Sequence, residues 1–178
     1  MDFFTADLHL GHDKNFIWSP RGFTSIEEQD KEILKRWNSI VTPNDTVYLL
    51  GDIAFGLDEK VWKSILWNLN GKIYFLPGNH DSKEKVYKYK HECPLFLITY
   101  PYYSYKKYKF VLSHYPSIMD SKYKPNLWNL SGHTHSNDKF QYGQFNIYNV
   151  ALNAHNNTPV SIEQIIKDIK KYQEETQN

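Results

Sequence analysis

Five apolar stretches of this chain each end in a carboxylate, an imidazole or a carboxamide: "FFTADLH", "TVYLLGD", "IYFLPGNHD", "FVLSH" and "LWNLSGHTH". Rich in aromatic and branched residues, each reads as a strand. Ligands of α/β sheets gather at the carboxyl ends of strands, so polar residues delivered there from distant sequence positions can surround one point. Gly51, Gly78 and Gly132 stand beside them, where a sharp turn or a close approach tolerates no side chain. In an extended strand, residues i and i+2 share a face. That period predicts that Asp7 and His9 of "DLH" meet one ion, and that His133 and His135 of "GHTH" repeat the arrangement.

The segments between these strands read mostly as helices. "SIEEQDKEILKRWNSI" carries Ile26, Ile33, Leu34, Trp37 and Ile40 at helical spacing behind a Ser25–Glu28 capping box. Residues 58–68 and "SKEKVYKYKHE" predict two more helices, the second followed by a short strand "LFLIT". "YPYYSYKKYKFVLSHYP" reads as a hairpin turning near Lys106 and Lys107, and "QFNIYNVAL" as a further strand. "SIEQIIKDIKKY" closes the chain as an amphipathic helix capped by Ser161. Helices alternate with strands early and strands dominate late, which predicts a layered α/β domain with two packed sheets.

The 178 residues suffice for one domain with a sizeable core. A formal net charge of +1 gives no global argument for binding nucleic acid or an anionic membrane. The single cysteine, Cys93, cannot form an internal disulfide, no apolar run approaches membrane-helix length, and "MDFFTADLHL" is too short and polar for a secretion signal. A cytoplasmic protein is expected. Of the 14 tyrosines, Tyr100, Tyr102, Tyr103, Tyr105 and Tyr108 could stack bases, but are read first as residues that fill and cover a hairpin. His91 and His155 are read as structural.

The residue types at the strand ends define a chemistry. Carboxylates, an amide oxygen and imidazoles, with no thiolate among them, suit Mn²⁺, Fe, Zn²⁺, Co²⁺ or Ni²⁺. They are too many for one tetrahedral ion. They suit two adjacent ions bridged by a carboxylate, a pair that generates hydroxide near neutral pH and clamps a phosphoryl group.

The ordered series D-x-H, GD, GNHD, H and GHTH resembles the calcineurin-like metallophosphoesterase superfamily. "DLHLGH" and "NVALNAHNNTPVSIEQI" are similar to its small bacterial and phage phosphoesterases, which extends the resemblance over nearly the whole chain. It implies one metallophosphoesterase domain over residues 1–178, folded as a four-layer α/β/β/α sandwich of two mixed sheets flanked by helices. It implies a first metal on Asp7, His9, Asp52 and His135, and a second on Asp52, Asn79, His114 and His133, with Asp52 bridging. The nucleophile is then a metal-bridging hydroxide, and His80 is the general acid for the leaving oxygen or a donor to the transition state. The cofactors implied are two divalent transition-metal ions, Mn²⁺ foremost, with Fe, Ni²⁺, Co²⁺ and Zn²⁺ as alternatives.

The chain departs from the GDxxDRG pattern of the protein phosphatases in this superfamily, carrying Phe55 and Gly56 in place of the second Asp and the Arg. Asp81 then either serves His80 or caps a helix, and Asn153 stands where an Asp is expected. Phosphate grip falls to His12 or Arg21, although His12 could equally hydrogen-bond a ligand from behind and Arg21 could pair with a surface carboxylate. The expected activity is a phosphodiesterase or phosphatase on small or nucleotide-like substrates. The alternatives are a nuclease acting on nucleic-acid ends, or a non-catalytic scaffold for protein partners, which would have shed ligands that are all present here.

Overall fold

The computed structural model describes residues 1–56, 59–119, 122–142 and 145–176. The first sheet holds β1 (Asp2–Thr5), β2 (Thr46–Leu50), β3 (Lys72–Leu76) and β4 (Leu95–Leu97), all parallel, with β9 (Val160–Ser161) antiparallel on the β1 edge. The second holds β5 (Tyr102–Tyr105), β6 (Tyr108–Leu112), β7 (Leu127–Ser131) and β8 (Ile147–Asn149), where β5–β6 is antiparallel and the rest parallel. Both sheets are mixed, as expected.

Helices cover the outer face of the first sheet. Ile33 and Trp37 of α2 (Ile26–Ile40), Trp62 and Leu66 of α3 (Glu59–Trp67), and Tyr89 of α4 (Lys83–Glu92) pack on Phe3, Val47, Leu49, Ile73 and Phe75. Each such side chain fully buried contributes about 1.5–3 kcal/mol. Between the sheets, Phe4 and Leu50 meet Phe110, Leu112, Trp128, Leu130 and Tyr148, and α5 (Ile162–Thr176) adds Ile162, Ile165, Ile166 and Ile169 to the same cluster. The protein is thus an α/β structure of two mixed sheets flanked by helices.

Local chemistry sets the helix ends. Ser25 accepts from the Glu28 N–H, while the Glu28 carboxylate reaches past it to Thr24. Ser161 accepts from the Gln164 N–H at the start of α5. Of the helix expected over 58–68, Asp58 lies outside the described residues and the helix ends at Trp67. Gln144 of the expected strand "QFNIYNVAL" is likewise outside them. A short helix α1 (Asn15–Trp18), running on into a 3₁₀ turn at Ser19–Arg21, occupies what reads as a loop in the sequence.

The tyrosine-rich hairpin divides between two tasks. Tyr108 is buried, Tyr103 packs on Phe4 and Tyr48 and donates to Asp2, and Tyr105 donates to Glu163. Tyr100 and Tyr102 are exposed on the far face. The turn at Lys106 and Lys107 lies at the end of β6 remote from His114. Because β1, β2 and β3 run parallel, as do β6 and β7, their carboxyl ends line one edge. There the loops are zipped by backbone bonds from Asp7 N–H to Gly51, from His9 N–H to Asp52 and from Gly132 N–H to His114.

Candidate metal centre

All seven expected ligands converge at that edge. His9 Nε2 and His135 Nε2 face each other at 3.1 Å, and Asp52 Oδ2 lies 3.5 Å from His9 Nε2 and 3.4 Å from His114 Nε2. Asn79 Oδ1 lies 2.9 Å from His114 Nε2 and 3.0 Å from His133 Nδ1. Asp7 Oδ2 accepts the His133 N–H at 2.8 Å, while Asp7 Oδ1, fully buried, has no hydrogen-bond partner and lies 3.9 Å from His9 Nε2. A buried carboxylate oxygen without a partner is costly. The donor set fits divalent cations: Asp7, His9 and His135 form one group with metal-ligand spacing, and Asp7, Asp52 and His114 form another that shares Asp7 with it. His114 Nδ1 lies 2.9 Å from the Leu50 carbonyl, which fixes the tautomer and leaves the Nε2 lone pair for an ion.

The backbone differs from the extended geometry that the sequence suggests. β1 ends at Thr5, and Asp7, His9, Asp52, His133 and His135 all adopt left-handed φ angles between 49° and 73°. Asp7 and His9 reach one point through two left-handed residues around the buried Leu8, not through strand alternation. In "GHTH" the same device sends His135 to His9 and His133 to Asn79. Each such residue costs on the order of 1 kcal/mol or more, and strain of this kind concentrates at functional sites.

The glycines admit the close approaches. A Cβ at Gly78 would collide with Asp52 Oδ1, and one at Gly132 would collide with Asp7 Oδ2 and lie 2.5 Å from Ala6 Cβ. Gly132→Ala is expected to lower stability by about 1–3 kcal/mol through overpacking and, by displacing the Asp7 carboxylate, to weaken Mn²⁺ binding. Thermal melts and metal titration check this; unchanged affinity would show that Asp7 is not held by this contact.

Burial pushes the Asp7 carboxyl up to about 7, against the pull of His114 and the His133 N–H. Burial, with the charges of His135 and Arg21, takes His9 down to about 2, and burial with Arg21 takes His135 down to about 4. Burial works against the Asp52 charge, but hydrogen bonds from His114 and the His80 N–H hold it at about 2. Burial also lowers His114, yet the Asp52 hydrogen bond and the Asp7 charge outweigh it and raise the imidazole. Near neutral pH the protons that compete with a cation therefore sit on Asp7 and His114, not on His9 or His135. Cations bind only the deprotonated ligands, so affinity is expected to fall as pH drops below about 7, about tenfold per pH unit for each proton displaced. Calorimetry in buffers of different ionisation heat measures that release. Its absence between pH 6 and 7 would contradict the assignment.

His80 is half-buried at the same edge, its ring 5.4 Å from that of His9, 5.6 Å from His12 and 5.1 Å from Phe55. Its backbone N–H donates to Asp52 Oδ1 at 2.9 Å and its carbonyl accepts from Lys85 Nζ at 3.3 Å. His12 is buried with Nδ1 3.1 Å from His9 Nδ1, the geometry of a partner that orients the ligand from behind. Arg21 does not reach the cleft: its buried guanidinium donates to the carbonyls of Asp7 and Leu8, to Gln29 Oε1 and to Asn153 Oδ1. It clamps the loop that carries Asp7 and His9, and Asn153 is one of its acceptors. Asp81 neither orients His80 nor caps α4, whose cap is Ser82. It accepts N–H bonds from Asp52, Ile53 and Gly78 and a hydroxyl bond from Tyr89, stapling two ligand turns together. Lys85 and Tyr115 escape sequence reasoning, since neither lies at a strand end beside a glycine. Tyr115 nevertheless sits 4.4 Å from the His133 ring and 5.2 Å from the His114 ring.

Fold, ligand convergence and sequence agree, and the chain belongs to the calcineurin-like phosphoesterase family, whose profile spans residues 3–174. It is a metal-dependent phosphoesterase. An uncharacterized protein of Methanocaldococcus jannaschii is 33% identical over 173 residues, covering 93% of this chain and 89% of its own length. The gene 66 protein of Mycobacterium phage L5 is 33% identical over 91 residues, 50% of this chain and 44% of the phage protein. A protein of unknown function from Aquifex aeolicus, AQ665, shares the fold with a TM-score of 0.70 at 24% identity, covering 94% of this chain and 98% of its own. Among the described residues, no helix is long and apolar enough to cross a membrane.

Proposed function

We propose that residues 1–178 form one dinuclear phosphohydrolase domain that cleaves phosphodiesters or phosphomonoesters of small, nucleotide-like substrates in the cytoplasm. The observation that carries this reading is Asp52 Oδ2, set between His9 and His114 at 3.5 and 3.4 Å. Asp7, His9, Asp52 and His135 would hold one divalent ion, and Asp52, Asn79, His114 and His133 the other; oxygen and imidazole donors support Mn²⁺ as the first to test. When bound, such a pair supplies a water deprotonated near neutral pH and a positive clamp on the phosphoryl oxygens. His80, with its backbone tethered through Asp52 and Lys85, holds the proton that the leaving oxygen takes. His12 keeps His9 in the tautomer that presents Nε2, and its remaining ring nitrogen can donate to a phosphoryl oxygen. Arg21 keeps Asp7 and His9 in place from behind. No covalent enzyme intermediate is needed.

The test is hydrolysis of an aryl phosphodiester and its matching monoester by metal-stripped protein, before and after Mn²⁺ is restored. Turnover that requires the ion supports the reading, and the preferred ester identifies a diesterase or a phosphatase. Absence of turnover with ions bound would overturn it in favour of a non-catalytic role.

A further inference from the structure

Three exposed aromatic rings frame the metal centre. On the side of His9, His12 and His80 stand Phe16, 69% exposed, and Phe55, 37% exposed, with ring centroids 6.0 and 4.3 Å from that of His12. Phe55 also meets His80 edge-on at 5.1 Å and 77°. Lys85 Nζ, 5.1 Å from the Phe55 centroid and bonded to the Ala54 carbonyl, holds that ring in place. On the side of His114 and His133 stands Tyr115, 52% exposed. Of the ten phenylalanines of the chain, Phe3, Phe4, Phe23, Phe75 and Phe110 are buried, and two of the exposed ones, Phe16 and Phe55, stand at this site. Large apolar rings left in water around a polar cleft mark a surface that a ligand covers.

We infer that the substrate is a nucleoside phosphodiester with a base on each side of the scissile phosphate, one stacked on Phe16 and Phe55 and the other on Tyr115. The inference rests on the phosphodiesterase reading above. The side of each base follows from His80. The leaving oxygen takes its proton from His80, so the leaving group extends over Phe55 and Phe16, while the retained ester lies toward His133 and Tyr115. Water supplies the oxygen that bonds phosphorus, the P–O bond to the leaving nucleoside breaks, His80 protonates that oxygen, and the proton lost by water returns to solvent. With Arg21 committed to the loop behind the site, the phosphate is left to the ions and His12, which any phosphate ester satisfies, and discrimination between esters falls to their organic parts. Planar rings on two separate sides suit two planar groups better than one continuous acyl chain. Stacking on an aromatic ring is tolerant of base identity, and thus needs no base-specific donors.

The experiment compares a dithymidine phosphodiester with the same sugar–phosphate diester lacking both bases, using Mn²⁺-loaded protein. Equilibrium binding of the two corresponding methylphosphonates, which are not hydrolysed, is measured alongside. One stacked base corresponds to about 5- to 150-fold. The expected result is a kcat/KM ratio of at least that size in favour of the base-bearing diester. The ratio should fall toward one in Phe16→Ala and in Tyr115→Ala, be retained in Phe16→Trp, and be matched by the binding ratio. Equal hydrolysis of both diesters would overturn the inference and leave the phosphoesterase reading standing. Hydrolysis of neither, with binding that still prefers bases, would overturn the catalytic reading and keep the base sites. Neither hydrolysis nor binding would overturn both.

Discussion

Asp52→Asn is expected to abolish metal-dependent turnover while leaving the fold intact. The substitution keeps the acceptor that holds the His80 N–H at 2.9 Å. It replaces the oxygen between His9 and His114 with an amide that either donates toward them or withdraws, and it removes a full charge from a buried position. No neutral group can bridge two cations as a carboxylate does. The loss should therefore exceed the about 10²–10³-fold that follows removal of a single transition-state donor. Wild-type protein is expected to bind two ions per chain and the variant at most one, as measured by metal analysis after dialysis. Metal-free thermal stability should be equal or lower in the variant, because hydrogen bonds from His114 and the His80 N–H more than offset the burial of the Asp52 charge, and the amide weakens them. The increase in Tm on adding Mn²⁺ should shrink, since ligand binding stabilises as RT ln(1 + [L]/Kd) and reaches about 2.7 kcal/mol at a hundredfold excess over Kd. Two bound ions with retained activity would remove Asp52 from the bridging role.

Much of this site is legible in the sequence because its residues carry their own punctuation. An apolar strand that ends in Asp, Asn or His has few structural uses, and five in one chain, three of them with a glycine before the polar residue, point to one edge of a sheet. The helices were equally open to reading, since α2 and α5 pair helical periodicity with capping serines. What the sequence conceals is backbone conformation and the supporting shell. "DLH" offers strand alternation as the simplest route for Asp7 and His9, and only the fold shows that both are left-handed. Asp81 follows His80 directly, so proximity suggests a partnership. Its oxygens instead turn back to the N–H groups of Asp52, Ile53 and Gly78, donors that come together only after β2 and β3 pair. Arg21 looks like a phosphate ligand because cations near a phosphoesterase site usually face the substrate. Its acceptors are backbone carbonyls that no pattern announces. α1 is missed for a related reason: four residues are too few to show a period.

His80→Ala is expected to separate chemistry from metal binding. The His80 ring meets its neighbours by packing, at 5.4 Å from the His9 ring and 5.1 Å from Phe55, whereas the contact to Asp52 is made by its backbone, which alanine retains. Both ions should therefore remain. For an alkoxide leaving group, such as the sugar hydroxyl of a dinucleotide, kcat should fall about 10²–10⁴-fold, the usual contribution of a positioned general acid. A nitrophenolate departs without a proton, so its diester should lose much less. That contrast is the decisive readout, because a purely structural defect would slow both leaving groups alike. Equal losses on the two substrates, with both ions bound, would make His80 a donor to the phosphoryl oxygens and not the proton source. Loss of the ions themselves would mean that the His9, His12, Phe55 and His80 rings hold the ligand loop as one packed unit, and the general acid would have to be sought in His12.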